Sequence, residues 1–190
     1  TGYPGCEEAA DYILARLREY GVEERNIAIQ PFDVPSPIVE SAFLEIDGAE
    51  TIPLHPLWPN LARASQTAPE GLEGLLVDIG AGNDAGLEGK PIRDSIVVMD
   101  WDSHAEWLSV PEFGGKAVLF RGAATSASAG AMARAKFLTV PADIPRFFVA
   151  PEDAPALDRA LKREAPRATV YCKMAWRLAE SKNILARVSG

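Results

Sequence analysis

The chain has 190 residues, 47% hydrophobic and 24% charged, which suits one domain, or one domain with a small appendage, and supplies enough apolar material for a core. Its 27 Asp and Glu outnumber 19 Lys and Arg, and the net charge of -8 argues against a nucleic-acid surface, because phosphate binding needs clustered cations. No apolar run approaches the roughly 20 residues of a membrane helix, and the opening at Thr1, without Met, is that of a processed or trimmed chain.

In chain order, Cys6 to Tyr20 reads as an amphipathic helix, with Ala10, Ile13, Leu14 and Leu17 at helical spacing and Gly21 placed to stop it. Asn26 to Val34 alternates as a strand, which Pro35-Ser-Pro37 is expected to end. Val39 to Ile46 and Thr51 to Leu54 bracket Asp47-Gly48-Ala49-Glu50 as a hairpin. His55 to Gly71 holds three prolines and reads as a long connection, Gly74 to Ile79 as a buried strand, and Gly80 to Pro91 as loop with at most one helical turn.

The organising unit is Asp94 to Gly122. Ser95 to Asp100 and Lys116 to Gly122 are apolar, β-branched runs of the kind buried on both sheet faces. Between them a helix is expected to start at Asp102 or Ser103, with Glu106 in capping-box position. Such a unit predicts parallel neighbours. Ser126 to Ala135 can form a helix close against a sheet, and Arg146 to Val149 is a short strand. Pro151 to Glu164 reads as a second amphipathic helix, and Ala168 to Leu178 and Asn183 to Val188 as the last two strands. The fold class expected is α+β, a β-rich sheet or sandwich flanked by short helices behind an N-terminal amphipathic helix.

Few residues suggest chemistry. Leu75 to Asp84 resembles the first motif of methyltransferases, in which an acid and a glycine turn hold S-adenosylmethionine, and Asp100 stands near the spacing of a ribose-binding acid. Against it, the third glycine is replaced by Asp84, and Gly86, Gly89 and Pro91 interrupt the segment where a helix should pack the turn. His55 and His104 have no ligand spacing, and Asp78, Asp84, Asp100 and Asp102 offer at most a weak oxygen-ligand site. No nucleophile elbow is present, and Ser126 and Ser128 read better as helix caps. Cys6 and Cys172 can either pair in an oxidising compartment or remain thiols. The four tryptophans read as core or rim packing. No catalytic, cofactor-binding or metal-binding residue is therefore assigned.

Both ends of the chain, taken together, resemble the co-catalytic zinc aminopeptidases of metallopeptidase family twenty-eight, which includes glutamate carboxypeptidase and the transferrin receptor. The segment from Tyr3 to Val22 is similar to the family's opening helix, Gln30-Pro-Phe-Asp-Val-Pro35 to the extended strand after it, and Ser181-Lys-Asn-Ile-Leu-Ala-Arg-Val-Ser-Gly190 to the first strand after an inserted domain. Leu72 to Gly80, Asp94 to Met99, Gly115 to Gly122, and Ile144 to Val149 with Glu152 to Leu157 look like that insertion, the protease-associated (PA) domain. The family's Arg-Gly signature is missing from the strand that starts at Asp94.

The resemblance implies residues 1–37 as helix and strand of a peptidase domain, 38–178 as a PA-like insertion, and 179–190 as the strand returning to the peptidase domain. It implies that two zinc ions, their ligands beginning with an H-x-D pair, and the glutamate base all belong to a part of such proteins that follows the strand this chain ends on. No cofactor is expected in this chain. The implied role is a non-catalytic lid or interaction module, with that peptidase domain and a peptide or protein substrate as partners, and with secretion or a periplasmic location. The alternatives are a methyltransferase-like domain built on Asp78 to Asp84, or a free-standing interaction protein. A terminal helix and strands made to cover a catalytic core should also carry an unpartnered apolar stripe, a route to homodimers.

Overall fold

The computed structural model describes residues 4–47, 50–59, 63–122, 136 and 143–188. They divide into two compact units, Thr1–Ile38 with Ala175–Gly190, and Val39–Met174.

In the first unit, α1 (Pro4–Glu19) opens the chain. It stops where expected: Gly21 takes φ 82°, its N–H bonds to the Arg18 carbonyl, and the Val22 N–H reaches the Leu17 carbonyl, both at 3.0 Å. This pairing satisfies two end carbonyls and needs a left-handed residue at position 21. After a short 3-10 turn comes β1 (Ile27–Ile46), and the chain returns in β8 (Arg167–Ala186). Each long strand contributes to both units.

Two expectations fail here. Pro35-Ser-Pro37 does not end the first strand, and the last two expected strands are one. At the start of β1 the Asn26 carbonyl accepts from the Arg187 N–H (2.9 Å), and Gln30 Oε1 accepts from Asn183 Nδ2 (3.2 Å). A proline continues a strand where its missing N–H faces no ladder partner. Residues 179–182, left between the two expected strands, continue the strand.

The second unit holds β2 (Glu50–Pro53), paired antiparallel with β1 from Phe43↔Pro53 to Ile46↔Glu50, so the expected hairpin forms. The two-residue β3 (His55–Pro56) pairs with β7 inside what reads as a featureless connection. Next come β4 (Leu72–Asp78), one helical turn α2 (Asp84–Leu87), β5 (Ile96–Asp100), α3 (Ser109–Glu112), β6 (Ala117–Arg121), β7 (Arg146–Val149) and α4 (Ala154–Leu161). The strands follow one order, β2-β1-β8-β4-β5-β6-β7-β3, with β4 to β7 mutually parallel and β8 antiparallel to β4. The fold is α+β, a mixed eight-stranded order with a few helices.

The organising unit is confirmed as parallel neighbours, with Val97 opposite Val118. Its connection differs from the expectation: a 3-10 turn over Glu106–Leu108 leads into α3, and Ala105 stands at the cap position without a side-chain bond. Ser103 is buried instead as a hydrogen-bond partner of Lys136, which removes it from capping. The helix expected over Pro151 to Glu164 is trimmed to α4, and the one expected over Ser126 to Ala135 lies outside the described residues.

Alternation on β5 and β6 builds two cores in this unit. Ile96, Val98, Ala117 and Leu119 face Leu157 and Ala160 of α4 together with Leu44, Phe147 and Val170. Val97, Met99, Val118 and Phe120 face Trp101, Trp107, Val110 and Ile144. Strands covered on both faces are the reason these runs are continuously apolar.

Candidate functional site

Three adjacent strands end in charged residues, Asp78 on β4, Asp100 on β5 and Arg121 on β6. Parallel register brings them together. The Arg121 guanidinium donates to Asp78 Oδ2 at 3.0 Å, to Asp100 Oδ1 at 2.7 Å and to Asp158 Oδ1 of α4 at 2.9 Å. Burial works against its charge, but the three carboxylates outweigh that and hold its pKa above the ordinary arginine value. One cation thus clamps three strand ends to a covering helix.

This clamp occupies the residues of the methyltransferase-like turn. Asp78 Oδ1 accepts from the Gly80 N–H (2.9 Å) while its other oxygen holds Arg121. Asn83 caps α2, which lasts four residues, too few to present a helix N-terminus to a cofactor. The parallel strands β4, β5, β6 and β7 also run in sequence order without a reversal, and a reversal is where doubly wound sheets open a ligand crevice.

Metal ligation finds no constellation among the described residues: no three His, Cys, Asp or Glu side chains stand where they could share an ion. His55 lies beside the Phe148 ring on β3, and His104 occupies a left-handed turn (φ 45°) after β5. These residues do not fit a zinc site, and no chemical step is assigned to them. Ser126 and Ser128 lie outside the described residues. Cys172 is a free thiol whose burial pushes its pKa up to about 12, which keeps it protonated and inert. Cys6 is partly exposed on α1.

Two buried cations escape sequence reasoning. Lys136 is 1% exposed; its ammonium donates to Ser103 Oγ (2.9 Å) and the His104 carbonyl (2.6 Å) and sits 4.5 Å from the Phe120 ring centre. Burial lowers its pKa to about 8, although Asp102 pulls it up. Arg146, equally buried, donates to the carbonyls of Lys136 and Trp58 and lies 4.9 Å over the Trp107 ring. Burial lowers its pKa to about 10. A lysine among alanines and an arginine beside two phenylalanines give no periodic signal of burial. They join chain segments by satisfying carbonyls and aromatic faces.

The first unit is unlike the second. Its only buried hydrophobic residues among those described are Ala10 and Leu14 of α1. The expected stripe is therefore half covered, with Leu17 intermediate and Ile13 exposed. A groove of 330 Å³ lined by Ala10, Ile13 and Ile184 separates α1 from β8, and Lys182 reaches across it to Glu7 (2.6 Å). Ile29 and Phe32 of β1 and Trp176, Leu178 and Leu185 of β8 are all exposed, Leu178 at 69%.

No family model and no curated protein matches the chain. Among solved structures the chain is similar to an aminopeptidase from Aneurinibacillus sp. strain AM-1, with 20% identity and a TM-score of 0.56 over 97% of this chain and 43% of that one. It is also similar to a peptidase M28 precursor from Shewanella amazonensis SB2B, with 17% identity and a TM-score of 0.63 over 98% of this chain and 46% of that one. The chain shares its fold with part of each of these two structures. The chain spans less than half the length of either structure.

Proposed function

We propose that this chain is the opening segment and PA-like insertion of a zinc-dependent aminopeptidase, non-catalytic in itself. In this reading residues 1–37 and 179–190 belong to the peptidase domain, and 38–178 form a lid or interaction module that governs access of peptide or protein substrates. The observation that carries it is the unfinished first unit. A helix over two strands, whose buried aliphatic residues among those described are only Ala10 and Leu14, leaves several aliphatic side chains wet, each worth roughly 1.5–3 kcal/mol on burial. A further layer on this unit would take those side chains out of water.

The two strand edges support the same reading. Pro31 and Pro35 within β1 weaken further pairing along that strand. On β8, β4 takes only Arg167 to Val170, and no proline interrupts Ala175–Ala186, so that edge accepts another strand. In the proposed parent this edge and the exposed apolar residues meet the catalytic part, which supplies both zinc ions. Secretion or a periplasmic location accompanies this reading.

The test compares the full-length protein with a form in which Val39–Met174 is replaced by a short Gly-Ser linker. Zinc-dependent release of an N-terminal residue from a small aminoacyl substrate should persist in both, while the preference among longer peptides changes about tenfold, as expected for a module that shapes access. Unchanged preference would remove the lid role, and no metal-dependent release by the full-length protein would remove the peptidase reading.

A further inference from the structure

The N-terminal ends of β5 and β6 carry a surface cleft of 270 Å³ lined by Leu87, Lys90, Pro91, Ile92, Arg93 and Phe113. We propose that this cleft docks a polypeptide segment bearing a carboxylate beside an aromatic or branched aliphatic residue. The proposal stands independently of the peptidase reading.

Charge carries the argument. Lys90 and Arg93 form no ion pair and no side-chain hydrogen bond among the described residues, although ten other cations of this acidic chain do pair with carboxylates. The two stand over an apolar floor, in which Ile92 is buried and the Phe113 ring is 48% exposed. An aromatic or aliphatic group on that floor would bring a neighbouring carboxylate to both cations, and Arg93 can hold it bidentately.

Size and surroundings select the occupant. The volume lies below the roughly 300 Å³ at which pockets for drug-sized ligands begin, so one large side chain fills it. Glu88, Asp94 and Glu112 flank the lining residues in sequence. They oppose a polyphosphate backbone but leave room for a single carboxylate.

The walls are preset, which reduces the ordering cost of binding. Asp94 N–H bonds to the Gly114 carbonyl at 2.9 Å, Lys90 N–H to Leu87 at 3.1 Å, and Ser95 Oγ to Ile92 at 2.6 Å. Gly114 has φ 81°, a left-handed conformation that favours glycine in the turn beside Arg93.

The test uses fluorescein-labelled hexapeptides with a Glu-Phe-Glu centre, their Gln-Phe-Gln and Glu-Ala-Glu counterparts, and a single-stranded oligonucleotide, with anisotropy as readout. The Glu-Phe-Glu peptide should saturate the protein, with each counterpart at least about tenfold weaker and the affinity falling as salt rises. Amide resonances of residues 87–93 and 113–115 should move on titration. The Lys90→Gln/Arg93→Gln and Phe113→Ser variants should each weaken binding about tenfold, with melting temperatures confirming that these exposed substitutions leave the fold intact. Equal affinity for the Gln-Phe-Gln peptide, tighter binding of the oligonucleotide, wild-type binding by both variants, or no binding at millimolar peptide would overturn the proposal.

Discussion

The buried ammonium of Lys136 makes a quantitative prediction about pH. Its pKa drops from 10.5 to about 8 in the folded chain, because burial penalises the charge more than Asp102 stabilises it. Below pH 8 both folded and unfolded chains carry the proton, and the folded state bears the whole cost of the buried charge. Between pH 8 and 10.5 the folded amine is neutral while the unfolded chain still binds the proton, so stability rises with pH through that window. At about 1.4 kcal/mol per pH unit the full effect is about 3 kcal/mol. Other groups titrate too, so the measurement is a difference. Urea unfolding of wild type and Lys136→Met, followed by tryptophan fluorescence at pH 7, 8, 9 and 10, should show wild type gaining about 2–3 kcal/mol on the variant. A difference that stays constant with pH, or changes in the variant's favour, would refute the account of Lys136.

Arg121→Met should destabilise the Val39–Met174 unit by about 2–3 kcal/mol in thermal melts. It removes three ion pairs whose carboxylates are a third to a half exposed, so each is discounted toward surface values, and it leaves three acids facing one another. Base titration is a poor substitute, because the stability tied to a raised arginine pKa is lost only as pH climbs through that folded value, above the usable range. Gly86→Ala should cost about 2 kcal/mol or more in the same assay, since its Cβ would sit 2.2 Å from the Ile79 carbonyl oxygen, whereas Gly5→Ala meets nothing within 4 Å and should be neutral or mildly stabilising. The 190-residue chain by itself should self-associate with rising concentration, and the Ile29→Glu/Leu178→Glu variant should sediment as a monomer, because both side chains are exposed on strands that have no further layer.

The legible parts of the fold were those where local pattern and tertiary environment agree. Val97, Val98, Val118 and Leu119 read as strands buried on both faces, and Gly21 as a helix stop, because each signal is confined to a few neighbouring residues. The prolines at 35 and 37 misled because the effect of a proline depends on which edge faces a partner, a property of the sheet rather than of the segment. Glu180 to Lys182 misled for the same reason: Ser181 is buried and Lys182 pairs with Glu7, and both depend on what the fold places beside the strand. The short β3 exists only by pairing with β7, so no local signal could reveal it. The Arg121 clamp was half legible, since acids at strand ends were visible but the cation that joins them lay on a different strand. Lys136 and Arg146 were illegible, because charged residues are read as solvated unless something nearby marks them otherwise.

The central claim is that the first unit is completed by a catalytic part that follows Gly190 in the same polypeptide. The most direct measurement is the sequence of the gene beyond the Gly190 codon. The account predicts an H-x-D pair soon downstream in an uninterrupted reading frame. A stop codon immediately after Gly190 would contradict it.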